Sequence, residues 1–490
     1  MTAAAARWSP AVTKEVRALL PTYGAALVAV VVGSMSESYF LIASGLLGFA
    51  FGSVTLGAQS FGHEYSHRTL GLLLAQPLDR RRLFLYKLIV LAAMLVTLTG
   101  VTLLLFDDVL KRAASPHTEP GMLVLAAACG LFVAPWLTML CRSTLAAVVF
   151  TVAIPGLLAT GADIVGGLIY GLHDASAIDR FRLIVFWRGM IVVCALSAIA
   201  GWRMFLRLEV IEGHGAHVQL PESLGVGSDV TAATIRRRHP VRALVAKELR
   251  LQQIAFVVAA LFVVAWVGLA WLEHSSPASQ AVPLIPLTGL YVGMASMLIG
   301  SLASAEERHL GTLEGQMLVP VPGWQQWFLK VGVVAALVLL FCGVLPAVFI
   351  SLTPFDRSLE LADWLGAATV IVLLTTGSLY VSSLCRTGVG ALVASFPAAV
   401  ATVFFAGTVD AWLRWRFFLL SARARRWLDP DWTLVALLVV IAGFVALLLW
   451  LGFQNHRTAD RSVGRTATQI VLLAGYITAG LLVLVLSGVR

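Results

Sequence analysis

Charge is scarce in this chain. Lys, Arg, Asp and Glu make up 12% of its 490 residues and hydrophobic residues 59%, whereas a soluble domain carries about 25% charged residues. A mean hydropathy of +0.89 excludes an ordinary soluble fold. Cysteine is nearly as sparse: there are five and no CxxC pair. Cys129, Cys194 and Cys342 fall in apolar runs, and Cys141 and Cys385 at the ends of others. An odd count in such places predicts free thiols, not a disulfide framework. The phosphate-binding pattern Gly-x4-Gly-Lys-Ser/Thr is absent and no polar stretch is long enough for an ATPase domain, so no nucleotide cofactor is expected in this chain. No basic groove interleaved with aromatics is present either, and nucleic acid is not an expected partner. Residues 1–17 show no cleavable signal, so the first helix is expected to direct insertion.

What is present is a series of apolar runs. A spanning helix needs about 20 mostly apolar residues. Runs at 18–35, 39–62, 88–106, 122–140, 145–172 and 183–202 meet that length, as do 254–272, 284–304, 331–350, 364–384, 389–409 and 433–452. A thirteenth run, 468–488, stands alone at the carboxyl end. The expectation is an all-α polytopic membrane protein.

Basic residues gather between particular runs: Arg7, Lys14 and Arg17; Arg68, Arg80, Arg81, Arg82 and Lys87; Arg203 and Arg207; Arg236, Arg237, Arg238 and Arg242; Arg457, Arg461 and Arg465. The positive-inside bias then puts these segments, and the amino terminus, in the cytosol of a multi-pass plasma (inner) membrane protein. The net charge of +9 follows from that topology and from attraction to anionic lipid. Residues 410–431 break the pattern, with five arginines and Trp412, Trp415 and Trp427, and are expected as an interfacial helix on the outer leaflet.

The chain repeats itself. Glu64, Thr69-Leu70, Pro77 and Lys87 recur as Glu307, Thr312-Leu313, Pro320 and Lys330, at an offset of 243. Lys14-Glu15-x-Arg17 recurs as Lys247-Glu248-x-Arg250, and Leu140-Cys141-Arg142 as Leu384-Cys385-Arg386. Two six-helix bundles in pseudo-twofold arrangement are the expected result, covering 1–207 and 240–457, with a Gly-rich cytosolic linker at 208–239 and an additional helix over 466–490. Each half opens on a short amphipathic stretch behind Pro10 or Pro240, expected to lie along the inner surface. The connections 63–87 and 305–330 carry enough leucine to form a short packed helix, stopped by Pro77 or Pro320.

Glu307-Arg308-His309-Leu310-Gly311-Thr312-Leu313-Glu314, followed by Leu318-Val319-Pro320-Val321 and Lys330, resembles the ABC-2 family of ABC-transporter permeases. The first half keeps Glu64, Thr69, Leu70, Pro77 and Lys87 but has Arg68 where the glycine is expected. The resemblance implies a fused, duplicated ABC-2 bundle whose loops 63–87 and 305–330 sit on two copies of an ATPase subunit, a homodimer or a heterodimer, with ATP and Mg bound in that partner. Through it, Glu64, Arg68, Thr69, Pro77, Glu307, Arg308, Gly311, Thr312, Glu314 and Pro320 are ATPase-coupling residues. The stretches Lys14, Glu15, Arg17 and Lys247, Glu248, Arg250 resemble the family's connecting helices. Glu64 and Glu307 are expected to pair with arginine or with helix N-terminal amides. An exporter of a hydrophobic or amphipathic substrate, not an enzyme, is the implied function.

A rival motif overlaps the first loop. His63-Glu64-Tyr65-Ser66-His67 has the H-E-x-x-H spacing that sets two imidazoles on one helical face around zinc, with Glu64 as general base. The glutamate recurs at Glu307 without flanking histidines and no third ligand is evident, which favours the permease over an intramembrane zinc protease. Asp163 and Arg188 are the ionisable residues within spans, expected to ion-pair or snorkel. Pro155 and Pro397 are expected to kink the fifth spans. Phe49, Phe51, Met294 and Met297 are candidates for lining a substrate path or for packing.

Overall fold

The structure is a computed structural model and describes residues 10–35, 39–66, 69, 79–112, 120–170, 175–207, 240–274, 284–309, 321–352, 361–416, 430–458 and 462–486. All regular structure among them is helical. Among the described residues thirteen helices are long and apolar enough to cross a membrane, from Val12–Ser34 to Gly464–Val485. The chain is therefore an all-α polytopic membrane protein. Helix α3 (Arg80–Arg112) shows why water is not its solvent: Leu91, Leu95 and Leu98 are buried, while Ile89, Val96 and Leu104 on its other face are apolar and exposed. A helix apolar all round suits lipid outside and protein inside. Hydroxyls within the spans turn back onto their own helix, as Thr102 Oγ1 does to the Leu98 carbonyl at 2.8 Å and Thr151 Oγ1 to Ala147 at 2.7 Å.

Two compact units form. The first comprises Met1–Ser34, Gly45–His239 and Phe256–Thr288; the second comprises Met35–Ser44, Pro240–Ala255 and Gly289–Arg490. In the first half of the sequence, α1 (Pro10–Ser34) and α2 (Tyr39–Ser66) precede α3, followed by α4 (Pro120–Ala128) and α5 (Ala134–Cys141), α6 (Thr144–Tyr170) and α7 (Ala175–Leu206). In the second half, α8 (Pro240–Leu251) and α9 (Gln253–His274) are followed by α10 (Leu284–His309), α11 (Gly323–Val338), α12 (Leu345–Ser351), α13 (Leu361–Leu384), α14 (Gly388–Arg416), α15 (Pro430–His456) and α16 (Val463–Leu486).

Several expectations change. The amphipathic stretch behind Pro10 is not a separate surface helix: α1 runs unbroken from Pro10 to Ser34, through Pro21. Only the second half breaks there, at Gln252. The arginine-tryptophan segment begins as the end of α14, which continues through Trp412 to Arg416, so its first seven residues are not a separate interfacial helix; 417–429 lie outside the described residues. As expected, none of the five cysteines is in a disulfide. Phe49, Phe51 and Met297 are buried as packing residues.

Helical distortion appears at two prolines that pattern alone does not single out. A π-helical turn, Cys129–Val133, joins α4 to α5 just before Pro135, and another, Leu339–Val344, joins α11 to α12 just before Pro346. Proline lacks an N–H and collides with the carbonyl four residues back, and one wide turn relieves the collision. The wide turn leaves one carbonyl facing the proline nitrogen. In the second unit Tyr291 Oη donates to that carbonyl, on Phe341, at 3.1 Å. In the first unit the equivalent Gly130 carbonyl faces Gly57, where a Cβ would come within 1.8 Å of it.

Candidate functional site

The repeated charges converge. In the first unit Lys87, about two turns into α3, sends its stem through apolar packing and brings Nζ to 2.7 Å from Glu15 of α1 and 3.5 Å from Glu64 of α2. Its Nζ also donates to the Ser60 carbonyl at 3.0 Å. Lys14, next to Glu15, completes the group by pairing with Glu64 at 2.9 Å. Two lysines and two glutamates thus form a charge-balanced quartet that ties together the first three helices. Glu64 and Lys87 are each only 2% exposed. Thr69 closes the end of α2: its N–H donates to the Glu64 carbonyl at 3.0 Å and its hydroxyl to the Glu64 carboxylate.

The second unit builds the same object. Lys330 of α11 lies 2.6 Å from Glu307 of α10 and 3.3 Å from Glu248 of α8, and donates to the Ala303 carbonyl at 2.5 Å. Lys247 pairs with Glu307 at 2.7 Å. Glu307 and Lys330 are both 0% exposed. Ser60 and Ala303, whose carbonyls accept from the two lysines, stand at the same offset of 243 that relates the charges. Glu64 and Glu307 are accordingly paired with lysines, not with arginine or helix amides as expected. Lysine suits the place because its long apolar stem crosses the packed layer and delivers one compact charge. Glu248 lies outside the candidate spans. Its burial, offset in part by Lys330 and reinforced by the nearby Glu307, pushes its carboxyl up to about 7.

Helix contact beneath each quartet repeats as well. Gly57 packs against Gly130, and Gly300, its counterpart, packs so closely on α13 that a Cβ would meet the Ser378 hydroxyl at 2.0 Å and the Thr375 carbonyl at 2.6 Å. Thr138 Oγ1 donates to the Ala58 carbonyl at 3.2 Å, and Ser382 Oγ to Ser301 at 2.7 Å. Small residues let the backbones approach, and a hydroxyl from the facing helix fastens them.

The surroundings of the two quartets differ. Phe61, Phe84 and Phe205 close the first, with Phe84 and Phe205 centroids 5.2 Å apart and Lys87 over the Phe61 ring. In the second, Trp327 stands where Phe84 does and stacks on His456 at 5.5 Å, while Ser304 takes the place of Phe61. Beyond it, Arg308 donates to the carbonyls of Ser383 and Asn455, the latter at 3.1 Å, at the C-terminal ends of α13 and α15. Asn455 exchanges amide hydrogen bonds with Gln469 of α16 at 2.8 and 3.1 Å, and Tyr380 donates to Gln469 at 3.0 Å. The thirteenth span is therefore pinned into the second unit by a buried polar network.

Of the residues singled out from sequence, Lys14, Glu15, Glu64, Lys247, Glu248 and Glu307 assemble, Thr69 caps Glu64, and Arg308 bridges α10, α13 and α15. Arg17 and Arg250 remain exposed. Arg68, Pro77, Gly311, Thr312, Glu314 and Pro320 lie outside the described residues, as does His67 of the zinc motif. Glu64, the base of that motif, is held by Lys14, Lys87 and Thr69. Among the described residues no group of three His, Cys, Asp or Glu is placed to hold a metal. Asp163 pairs with Arg182 at 3.6 Å. Sequence reading separated the connecting-helix residues from the loop glutamates. Their common recurrence with Lys87 and Lys330 was the available signal that they belong together.

Comparison of the chain with protein-family models, with curated proteins and with solved structures finds no match.

Proposed function

We propose that this chain is the fused, two-bundle permease of an ATP-binding-cassette exporter in the plasma membrane, with its amino terminus in the cytosol. The bundles are related by an approximate twofold, and each engages one copy of a separate ATPase subunit through the connection that follows Glu64 or Glu307. ATP and Mg belong to that partner, and the cargo is hydrophobic or amphipathic. The observation that carries this reading is the quartet built twice, at the base of the two connections that resemble the ABC-2 pattern. A push on such a connection reaches Glu64 or Glu307 directly. Through Lys87 or Lys330 it is passed to three helices at once, as a rigid-body movement requires. The motif, the repeat and the positive-inside pattern support the same assignment.

The test is co-expression with a candidate ATPase from the neighbouring reading frame. A stable complex is expected, with ATP hydrolysis that rises with cargo in vesicles. Glu307→Gln and Glu64→Gln, assayed below their lowered melting temperatures, should leave the complex assembled but uncouple hydrolysis from cargo. Failure of any ATPase to bind the intact chain, or full coupling in both variants, overturns the assignment.

A further inference from the structure

Three buried polar atoms around the second quartet have no hydrogen-bond partner among the described residues: Gln252 Oε1, Ser304 Oγ and His456 Nδ1. Their host side chains are 1%, 0% and 3% exposed. At the first quartet the corresponding places are apolar. Leu19 stands at the offset that relates Glu15 to Glu248, and Phe61 at the offset that relates Glu64 to Glu307. Phe205 packs on Phe84 as His456 packs on Trp327. At the first quartet hydrocarbon fills these three places and only Lys14, 46% exposed, reaches solvent; at the second the same places are orphaned acceptors and donors. A buried polar atom without a partner is destabilising, and natural proteins fill such places with water.

We propose that the second quartet, unlike the first, is a hydrated proton-binding site, with Glu248 as the group that takes the proton and water as the ligand of the orphaned atoms. The charged groups around Glu248 are Lys330 on α11, Glu307 on α10 and Lys247 on its own helix, and His456 on α15 and Arg308 on α10 stand on the far side of Lys330 and Glu307. Lys330 is shared between two carboxylates, 2.6 Å from Glu307 and 3.3 Å from Glu248. Two carboxylates on one ammonium leave the more distant one the cheaper to neutralise. Burial acts in the same direction on Glu248. Protonation turns the balanced quartet into one with an excess positive charge, so it weakens the link from Glu248 to Lys330 and loosens α8 from α11. The site binds its proton whether or not an ATPase subunit is attached.

Two measurements on the full chain in nanodiscs test it. First, Ser304→Cys and Phe61→Cys are compared for reaction with a small water-soluble thiol reagent, above the background of the native cysteines. The Ser304 position should react about tenfold faster, because only a hydrated thiol ionises readily; equal rates overturn the hydration. Second, infrared difference spectra are recorded between about pH 5 and about pH 9, a range that brackets the proposed titration. A protonated-carboxyl band should appear on acidification, vanish in Glu248→Gln and persist in Glu15→Gln. Loss of the band in Glu15→Gln instead overturns the assignment. If Glu248→Gln does not fold, His456→Phe imports the first-half side chain and should move the band's midpoint by about one pH unit. An unmoved midpoint there also overturns it.

Discussion

At the scale of single residues, the quartets set the largest energies. Removing one carboxylate leaves a lysine buried in the spans without half of its counter-charge, which costs about 3–5 kcal/mol. Glu307→Gln is therefore expected to lower thermal stability sharply, and Glu64→Gln nearly as much, in unfolding measurements in detergent. Lys330→Met added to Glu307→Gln should recover part of the loss, because the uncompensated charge is gone. Glu248 supplies a pH dependence whose sign follows from its raised proton affinity. Its carboxyl moves from 4.5 to about 7, so the folded chain binds more protons than the unfolded chain between those values. Stability then falls as pH rises through that window. Glu248→Gln should flatten the profile measured by thermal shift; a rising profile in the unmodified protein contradicts the assignment. None of these pairings is adjacent in the chain: Lys87 and Glu15 are 72 residues apart and Lys330 and Glu248 are 82. Spacing cannot announce them, and the residues were visible only as recurring marks.

At the scale of elements, close helix approach decides which substitutions are tolerated. A methyl group at Gly57 would enter the Gly130 carbonyl, and one at Gly300 would enter Ser378 and Thr375. Gly57→Ala and Gly300→Ala must separate helices, so each should cost several times the about 1 kcal/mol that alanine otherwise gains in a helix. Gly100→Ala, with nothing within 4 Å of the new atom, should be neutral or slightly stabilising. Equal melting temperatures for the three would show that the helices are not in contact at Gly57 and Gly300. Apolar runs had revealed every span, since length and composition alone satisfy the membrane's demand for closed backbone hydrogen bonding. The π turns were not legible. Pro155 and Pro397 looked like better candidates for distortion, but the wide turns formed at Pro135 and Pro346, where Gly57 and Tyr291 occupy the exposed carbonyls.

At the scale of the whole molecule, the thirteenth span breaks the equivalence of the halves. It has no partner in the repeat, yet Gln469 places it against Asn455 and Tyr380, next to the helix that carries Glu307. Gln469→Leu would leave Asn455 and Tyr380 with unmatched polar groups and should cost about 1–3 kcal/mol, read as a lower melting temperature of the full chain. The proposed topology is tested by single cysteines at Arg68 and Arg236, on the side expected to be cytosolic, and at Glu119, on the other. Impermeant reagent added outside intact cells should label only the last, and labelling of Arg68 from outside would reverse the orientation.

The order of hydrophobic runs, the doubling of the chain and the membrane as its solvent follow from the sequence alone, because each depends on local composition that no folding can alter. Which charges meet, and whether water joins them, depended on tertiary structure. Lys87 and Lys330 sit in equivalent helices and touch equivalent glutamates, but the neighbours that decide between a dry and a wet site come from distant segments. Phe205 closes one site and His456 stands at the other, and only packing brought each beside its lysine.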